Sequence, residues 1–131
     1  MLVDTSGLLC LLHAAEPQSA DAVLFFDSAQ SRHTTNYVLA EFLALAHARG
    51  LPRQPTLAFI SDLQDSPEIT VIYVHEALHR AALTLLQQRL DKSWSLCDAV
   101  SIELMRQYGI VEALTTDHHF EQAGFVRLLT P

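Results

Sequence analysis

The chain has 131 residues, is 50% hydrophobic and carries 15 acidic against 8 basic side chains, a formal net charge of −7. That length holds one domain with a sizeable core, taken here as residues 1–131, and the hydrophobic content excludes a disordered chain. The acidic balance excludes broad, non-specific nucleic-acid affinity across the surface and leaves room for a cation site or a basic partner.

Met1-Leu2-Val3 reads as a short buried strand that ends in Asp4-Thr5-Ser6-Gly7. A helix over Leu8–His13 opens just after Asp4. Asp4 is then either its N-cap or a carboxylate at the C-terminal end of a parallel strand, the edge where open α/β sheets place ligands. Pro17–Gln30 reads as a second helix. Ser31–Thr35 reads as a second strand or as an extended lead-in to the next helix.

That helix runs from Asn36 through Ala46, with Thr34, Thr35 and Asn36 as N-cap candidates and Gly50-Leu51-Pro52 as a stop. Val38, Phe42, Leu45 and Arg49 share one side. Ala40, Ala44, His47 and Ala48 form the opposite one, small enough to pack closely on a second surface. Glu41 is the only carboxylate in the helix and borders its apolar stripe. It either reaches water at the rim or requires a partner, because an unpaired buried charge is costly.

Thr56–Gln64 is helical and is broken by Asp65-Ser66-Pro67. Ile69–Tyr73, rich in β-branched residues, is a strand. His75–Leu90 is a long amphipathic helix. His75 and His79 are four apart on it without an acidic HExxH pattern, which reads as surface rather than as a metal pair. Ser95-Leu96-Cys97-Asp98-Ala99 opens a helix that runs to Tyr108. Ser95 and Asp98 fit a capping box. The helical wheel nevertheless puts Asp98 between Met105 and Ile102 on the apolar side, while Glu103, Arg106 and Gln107 hold the polar side. Ala113–Thr115 is a strand ended by Asp117, where capping of a following short helix is again the alternative to a functional role. Phe125–Leu129 is a last strand, with Val126–Leu128 at its centre. The alternation predicts parallel β–α units, and so an α/β fold: a three-layer α/β/α sandwich around a central, mainly parallel sheet.

Four acidic residues therefore hold special positions. Asp4 and Asp117 follow strands, and Glu41 and Asp98 sit on inward-facing stretches of helices. One shared site is a more economical account than three caps and a rim. Four carboxylates close together repel and raise one another's pKa unless a cation neutralises them. Hard oxygen donors without a cysteine or histidine partner point to Mg²⁺ or Mn²⁺. Such an ion lowers the pKa of bound water and offsets charge developing on a phosphoryl group.

Cys10 and Cys97 are far apart, in no metal-ligand spacing, and read as buried thiols of a reducing compartment. Asp4 interrupts the first apolar run with no basic residue before it, so no secretory signal is expected. No apolar run approaches the length of a bilayer span. The expectation is a soluble cytoplasmic protein.

The motifs Asp4-Thr5-Ser6, Ala40-Glu41-Phe42, Ser95-Leu96-Cys97-Asp98-Ala99 and Thr115-Thr116-Asp117-His118-His119-Phe120 together resemble those of PIN-domain ribonucleases. The similarity is strongest to the compact toxins of VapBC toxin–antitoxin systems, and it runs through essentially the whole chain in order. The resemblance implies a metal-dependent endoribonuclease that acts on RNA phosphodiesters, with Asp4, Glu41, Asp98 and Asp117 as the catalytic, metal-binding cluster. Thr5, Ser6 and Thr116 carry over as hydroxyls that support the metal shell or contact phosphate. It further implies a homodimer and an antitoxin partner with a basic tail. Two alternatives stand beside it: a non-catalytic interaction module on the same fold, and a haloacid-dehalogenase-type phosphatase. The latter requires a second Asp where Ser6 stands. Arg32, Arg49, Arg53, Lys92 and Arg127 are the basic candidates for holding substrate.

Overall fold

Strands and helices alternate along the chain, and the computed structural model describes all of residues 1–131. The order is β1 (Leu2–Val3), α1 (Thr5–Leu12), α2 (Ser19–Ser28), β2 (His33–Thr35), α3 (Asn36–Ala48), α4 (Arg53–Asp65), β3 (Thr70–Ile72), α5 (Glu76–Gln88), α6 (Leu96–Tyr108), β4 (Glu112–Leu114), α7 (His119–Gln122) and β5 (Val126–Arg127). The strands form one sheet in the order β3-β2-β1-β4-β5. Every neighbouring pair is parallel, with Leu2 opposite both His33 and Ala113. The mainly parallel sheet expected from the alternation is present. Strands β1, β2, β3 and β5 are shorter than the sequence suggests, whereas β4 keeps three residues and begins one earlier than expected, at Glu112.

Adjacent strand residues point to opposite faces, and β1 shows what that does to the core. Val3 packs with Leu8, Val38, Phe42 and Leu63, whereas Leu2 packs with Leu78, Leu85, Val100, Met105 and Phe120. Helices α1–α4 therefore cover one face and α5–α7 the other, the three-layer arrangement. Each fully buried Leu or Phe contributes roughly 1.5–3 kcal/mol of apolar burial.

Local signals set the element ends. The Thr35 hydroxyl accepts the Val38 N–H at 3.2 Å and starts α3. Gly109, at φ 67°, takes the left-handed conformation that ends α6 and that glycine adopts most readily. Helix α4 begins at Arg53, earlier than the Thr56 start read from the sequence. Pro55 is accommodated in its first turn, where a missing N–H costs no helical bond. The Ala40, Ala44, His47 and Ala48 face of α3 is exposed rather than packed on a second surface. At Gly7 an added Cβ would lie 2.1 Å from the Leu114 carbonyl oxygen. A residue without a side chain is what lets α1 press onto β4.

Because all strands run the same way, the chain leaving β1, β2 and β4 emerges at one edge. Helix α6 runs into β4, so its first turn lies at that edge as well. Asp4, Thr35, Asp98 and Asp117 are gathered there by topology alone.

Candidate active site

Asp4 occupies the N-cap position of α1, yet its side chain makes no capping bond. Its Oδ2 accepts the Thr115 hydroxyl at 3.0 Å. Its Oδ1 is buried and has no partner. Burial pushes the Asp4 carboxyl up to about 7, and the nearby Asp98 and Glu41 charges add to the rise. The capping account of Asp4 therefore fails on geometry.

Thr115 is wholly buried and joins two ends of the chain. Its single hydroxyl hydrogen goes to Asp4 Oδ2. The Ser6–Thr115 contact of 3.0 Å must then have Ser6 as donor. Ser6 Oγ in turn accepts the Thr116 N–H at 2.9 Å, and Thr115 Oγ1 accepts the Asp117 N–H at 3.0 Å. The relay Thr116 N–H to Ser6 to Thr115 to Asp4 fixes the carboxylate plane and leaves Oδ1 facing outward from it.

Glu41 is half-buried on α3 and reaches back to the start of α1, where Thr5 donates its hydroxyl to Oε1 at 2.7 Å. Its Oε2 accepts from no hydroxyl or amide. The neighbouring Cys97 thiol is held far above the ordinary thiol range, by burial first and by the Glu41 and Asp4 charges after it, and stays protonated.

Asp98 serves two roles at once. The capping box is present: Asp98 N–H donates to Ser95 Oγ at 3.0 Å, and Asp98 Oδ2 accepts the Ser95 N–H at 3.0 Å. The same Oδ2 lies 3.0 Å from His119 Nδ1, and the residue is buried as the wheel suggested. Its Oδ1 is left without a donor. Asp117 differs from the other three. Its Oδ1 accepts the His119 backbone N–H at 2.9 Å, and its Oδ2 lies at ion-pair distance, 3.2 Å, from His119 Nδ1.

A cleft of about 330 Å³ is lined by Asp4, Thr5, Ser6, Glu41, Thr116, Asp117 and His118 among others. Asp98 lies behind this lining and joins the group through His119. Glu103 pairs with Arg106 on the far side of α6, and Asp62 and Glu68 line a separate groove beside Phe59. His75 caps α5 by accepting the Leu78 N–H, and His79 Nδ1 meets the Tyr37 hydroxyl, so neither is an open ligand. Histidines nonetheless lie beside the carboxylates: Asp117, His118 and His119 each bring a ligand-type atom within 4.8 Å of the others. Thr115 and His119 are the two site residues that sequence reasoning missed. The one available signal was their place in the run Thr115-Thr116-Asp117-His118-His119.

Most of the basic candidates are engaged elsewhere. Arg49 pairs with Glu16, Arg127 with Glu121 and the Thr116 carbonyl, and Arg32 with the carbonyls of Phe26, Asp27 and Glu68. Lys92 lies 3.8 Å from Asp91.

The donor set fits a hard divalent cation. Asp4, Glu41 and Asp98 each have one oxygen held by the protein and the other unclaimed, and one of those unclaimed oxygens, Asp4 Oδ1, is buried. A buried carboxylate oxygen with nothing to bind is costly, and oxygen-rich sites of this kind suit Mg²⁺ or Mn²⁺.

The model of the PIN domain family matches residues 1–126. Among characterised proteins, the 23S rRNA-specific endonuclease VapC20 of Mycobacterium tuberculosis, from strains H37Rv and CDC 1551, is 30% identical over 129 residues, 98% of this chain and 97% of the relative. The crystal structure of M. tuberculosis VapC20, described as a sarcin-ricin loop cleaving toxin, superposes with a TM-score of 0.88 at 28% identity, covering 99% of this chain and 98% of that one.

Proposed function

The chain belongs to the PIN domain family, and from that premise we propose that it is a divalent-metal-dependent endoribonuclease, the toxin of a toxin–antitoxin pair, acting on RNA in the cytoplasm. The observation that carries the reading is the shared pattern of Asp4, Glu41 and Asp98. Each has one oxygen pinned and one free, around or just behind a single cleft. Mg²⁺ or Mn²⁺ would be held by those three, with Asp117 completing the shell. When bound, the ion supplies a water of lowered pKa and positive charge against the phosphoryl oxygens.

The chain's own residues prepare that site. Thr115, Thr5 and the Ser95 amide hold three carboxylates in fixed orientation, so little reorganisation is left for the moment of reaction. Asp117, with Oδ1 bonded to the His119 amide and Oδ2 3.2 Å from its ring, is suited to complete the shell through a water that it orients. Substrate is gripped with few free cations, since Arg49, Arg127 and Lys92 face carboxylates. Binding should therefore depend on metal and show a shallow salt slope. The activity of VapC20 puts ribosomal RNA first among substrates to test. An antitoxin whose basic tail reaches the acidic cleft, and a homodimer, complete the proposal. No helix is long and apolar enough to cross a membrane. The phosphatase alternative is set aside by the family match, and Ser6 is committed to Thr115 and Thr116.

Asp98→Asn tests the reading. The variant keeps an acceptor for the Ser95 N–H, so it should lose about 1 kcal/mol of stability or less. Cleavage of RNA with Mn²⁺ should fall by more than about 100-fold, beyond the loss typical of residues that merely support a metal shell. Full cleavage by a folded Asp98→Asn protein would overturn the proposal.

A further inference from the structure

His119 has no assigned role, and the structure surrounds it with unusual care. Its Nδ1 lies 3.0 Å from Asp98 Oδ2 and 3.2 Å from Asp117 Oδ2. Its backbone N–H donates to Asp117 Oδ1 at 2.9 Å. Its Nε2 lies 3.4 Å from Ser93 Oγ. The ring packs against His118 with centroids 4.7 Å apart. The side chain is 17% exposed, against 62% for His118. The next residue, Phe120, is wholly buried, and Gln122 accepts the Trp94 indole N–H at 3.0 Å. Short α7 is thus anchored on both sides of the imidazole.

The carboxylates only accept, so the hydrogen on Nδ1 points at them, and Nε2 is left to meet the Ser93 hydroxyl. The Nδ1–H hydrogen-bonds Asp98, on α6, and the same ring nitrogen lies 3.2 Å from the carboxylate of Asp117, in the turn after β4. Without the imidazole between them these like charges repel. With it, their relative position is set, and Asp98 Oδ2 is claimed by both Ser95 and His119, so that only Oδ1 remains free.

We propose that His119 is a positioning residue: its Nδ1–H holds Asp98 while its backbone N–H holds Asp117, and the imidazole between them sets the spacing of the carboxylates that receive the divalent ion. The inference rests on the metal-dependent reading above and adds a residue to it. His118, exposed and 3.5 Å from Asp117 Oδ1, does not share the task.

The test uses two amides and a readout independent of RNA. An Asn side chain places its N–H close to the Nδ1 position, whereas a Gln side chain places it nearer to Nε2. Mn²⁺ affinity of the full chain, measured by electron paramagnetic resonance, should fall about 10–100-fold in His119→Gln, the usual cost of losing a partner that orients metal ligands. His119→Asn should stay within about threefold of the parent, restored by the equivalent donor. Melting in EDTA reports the structural part separately, since a packing role alone would lower both variants' stability and leave Mn²⁺ affinity unmoved. Unchanged affinity in folded His119→Gln, or an equal loss in both variants, overturns this inference alone. A parent protein that binds no Mn²⁺ overturns it together with the metal-dependent reading. If His119→Gln does not fold, folded His119→Ala takes its place: unchanged Mn²⁺ affinity overturns the inference, and a loss of about 10–100-fold, with His119→Asn retaining affinity, supports it.

Discussion

The two edges of the sheet have little in common. At the N-terminal edge, a cleft of about 650 Å³ is lined by Phe25, His33, Tyr108, Ile110 and Glu112 among others. At the C-terminal edge, the acidic cleft has about half that volume, at 330 Å³. Each edge holds one buried polar atom without a partner, His33 Nδ1 in the first and Asp4 Oδ1 in the second. The imidazole has an escape. Burial holds the His33 pKa below its ordinary value, so the ring stays neutral and forfeits only one acceptor's bond. Asp4 has a poorer escape. It can take up a proton, which the Glu41 and Asp98 charges favour, but above about pH 7 it ionises with no lysine or arginine to offset the charge. Cavity size does not locate the chemistry in this molecule. The account of which oxygens are claimed and which are free does.

The sharpest way to break this comparison is Asp4→Asn. In EDTA the parent should become less stable as pH rises from about 4 toward 7. The folded carboxyl keeps its proton until about 7, while the unfolded chain releases it near 3.8. The folded state binds more protons across that window, so the unfolding free energy declines with pH. The decline attributable to Asp4 is on the order of 4 kcal/mol. Asp4→Asn should remove it, and Mn²⁺ should flatten it in the parent, as followed by urea unfolding at a series of pH values. A slope that survives the substitution would mean that Asp4 is not the strained group. The same variant should cleave no RNA.

Thr115→Val sharpens the comparison. It keeps the shape of the side chain and removes the donor to Asp4, the acceptor for Asp117 N–H and the partner of Ser6. The loss should be about 1–3 kcal/mol in thermal or urea unfolding, with cleavage down about 10–100-fold. Wild-type cleavage would show that the relay does not orient Asp4. The smallest effect belongs to the other edge. Tyr108 is 54% exposed, and Tyr108→Ala should leave cleavage unchanged and stability within about 0.5 kcal/mol. A loss of cleavage there would put function at both edges.

The acidic positions were legible because they stand where strands end and helices begin, and because Asp98 and Glu41 lie toward apolar stripes. The topology then had to collect them, as alternating β–α units do. Thr115 and His119 were not legible in the same way. A threonine after a strand and a histidine opening a short helix look like ordinary cap and surface residues. Their meaning depends on contacts across the fold: Thr115 with Asp4, and His119 with Asp98 from another helix. The capping box at Ser95 illustrates the opposite hazard. The box is present, and the Asp98 carboxylate in it also meets His119, behind the cleft lining rather than in it. The start of α4 was misread for a local reason, since prolines at 52 and 55 look like breakers until the second falls within the first turn.

The bond from Thr115 to Asp4 spans 111 residues of chain, and this gives the protein a schedule. A ribosome delivers Asp4 ahead of Thr115 by those 111 residues, at about 5–20 residues each second. Until the final strand pairings form, Asp4 has no Thr115, Asp98 has no His119, and the nascent chain holds scattered acids. A site built this way is assembled only once the segment that carries Thr115 and His119 has been made and docked on Asp4 and Asp98.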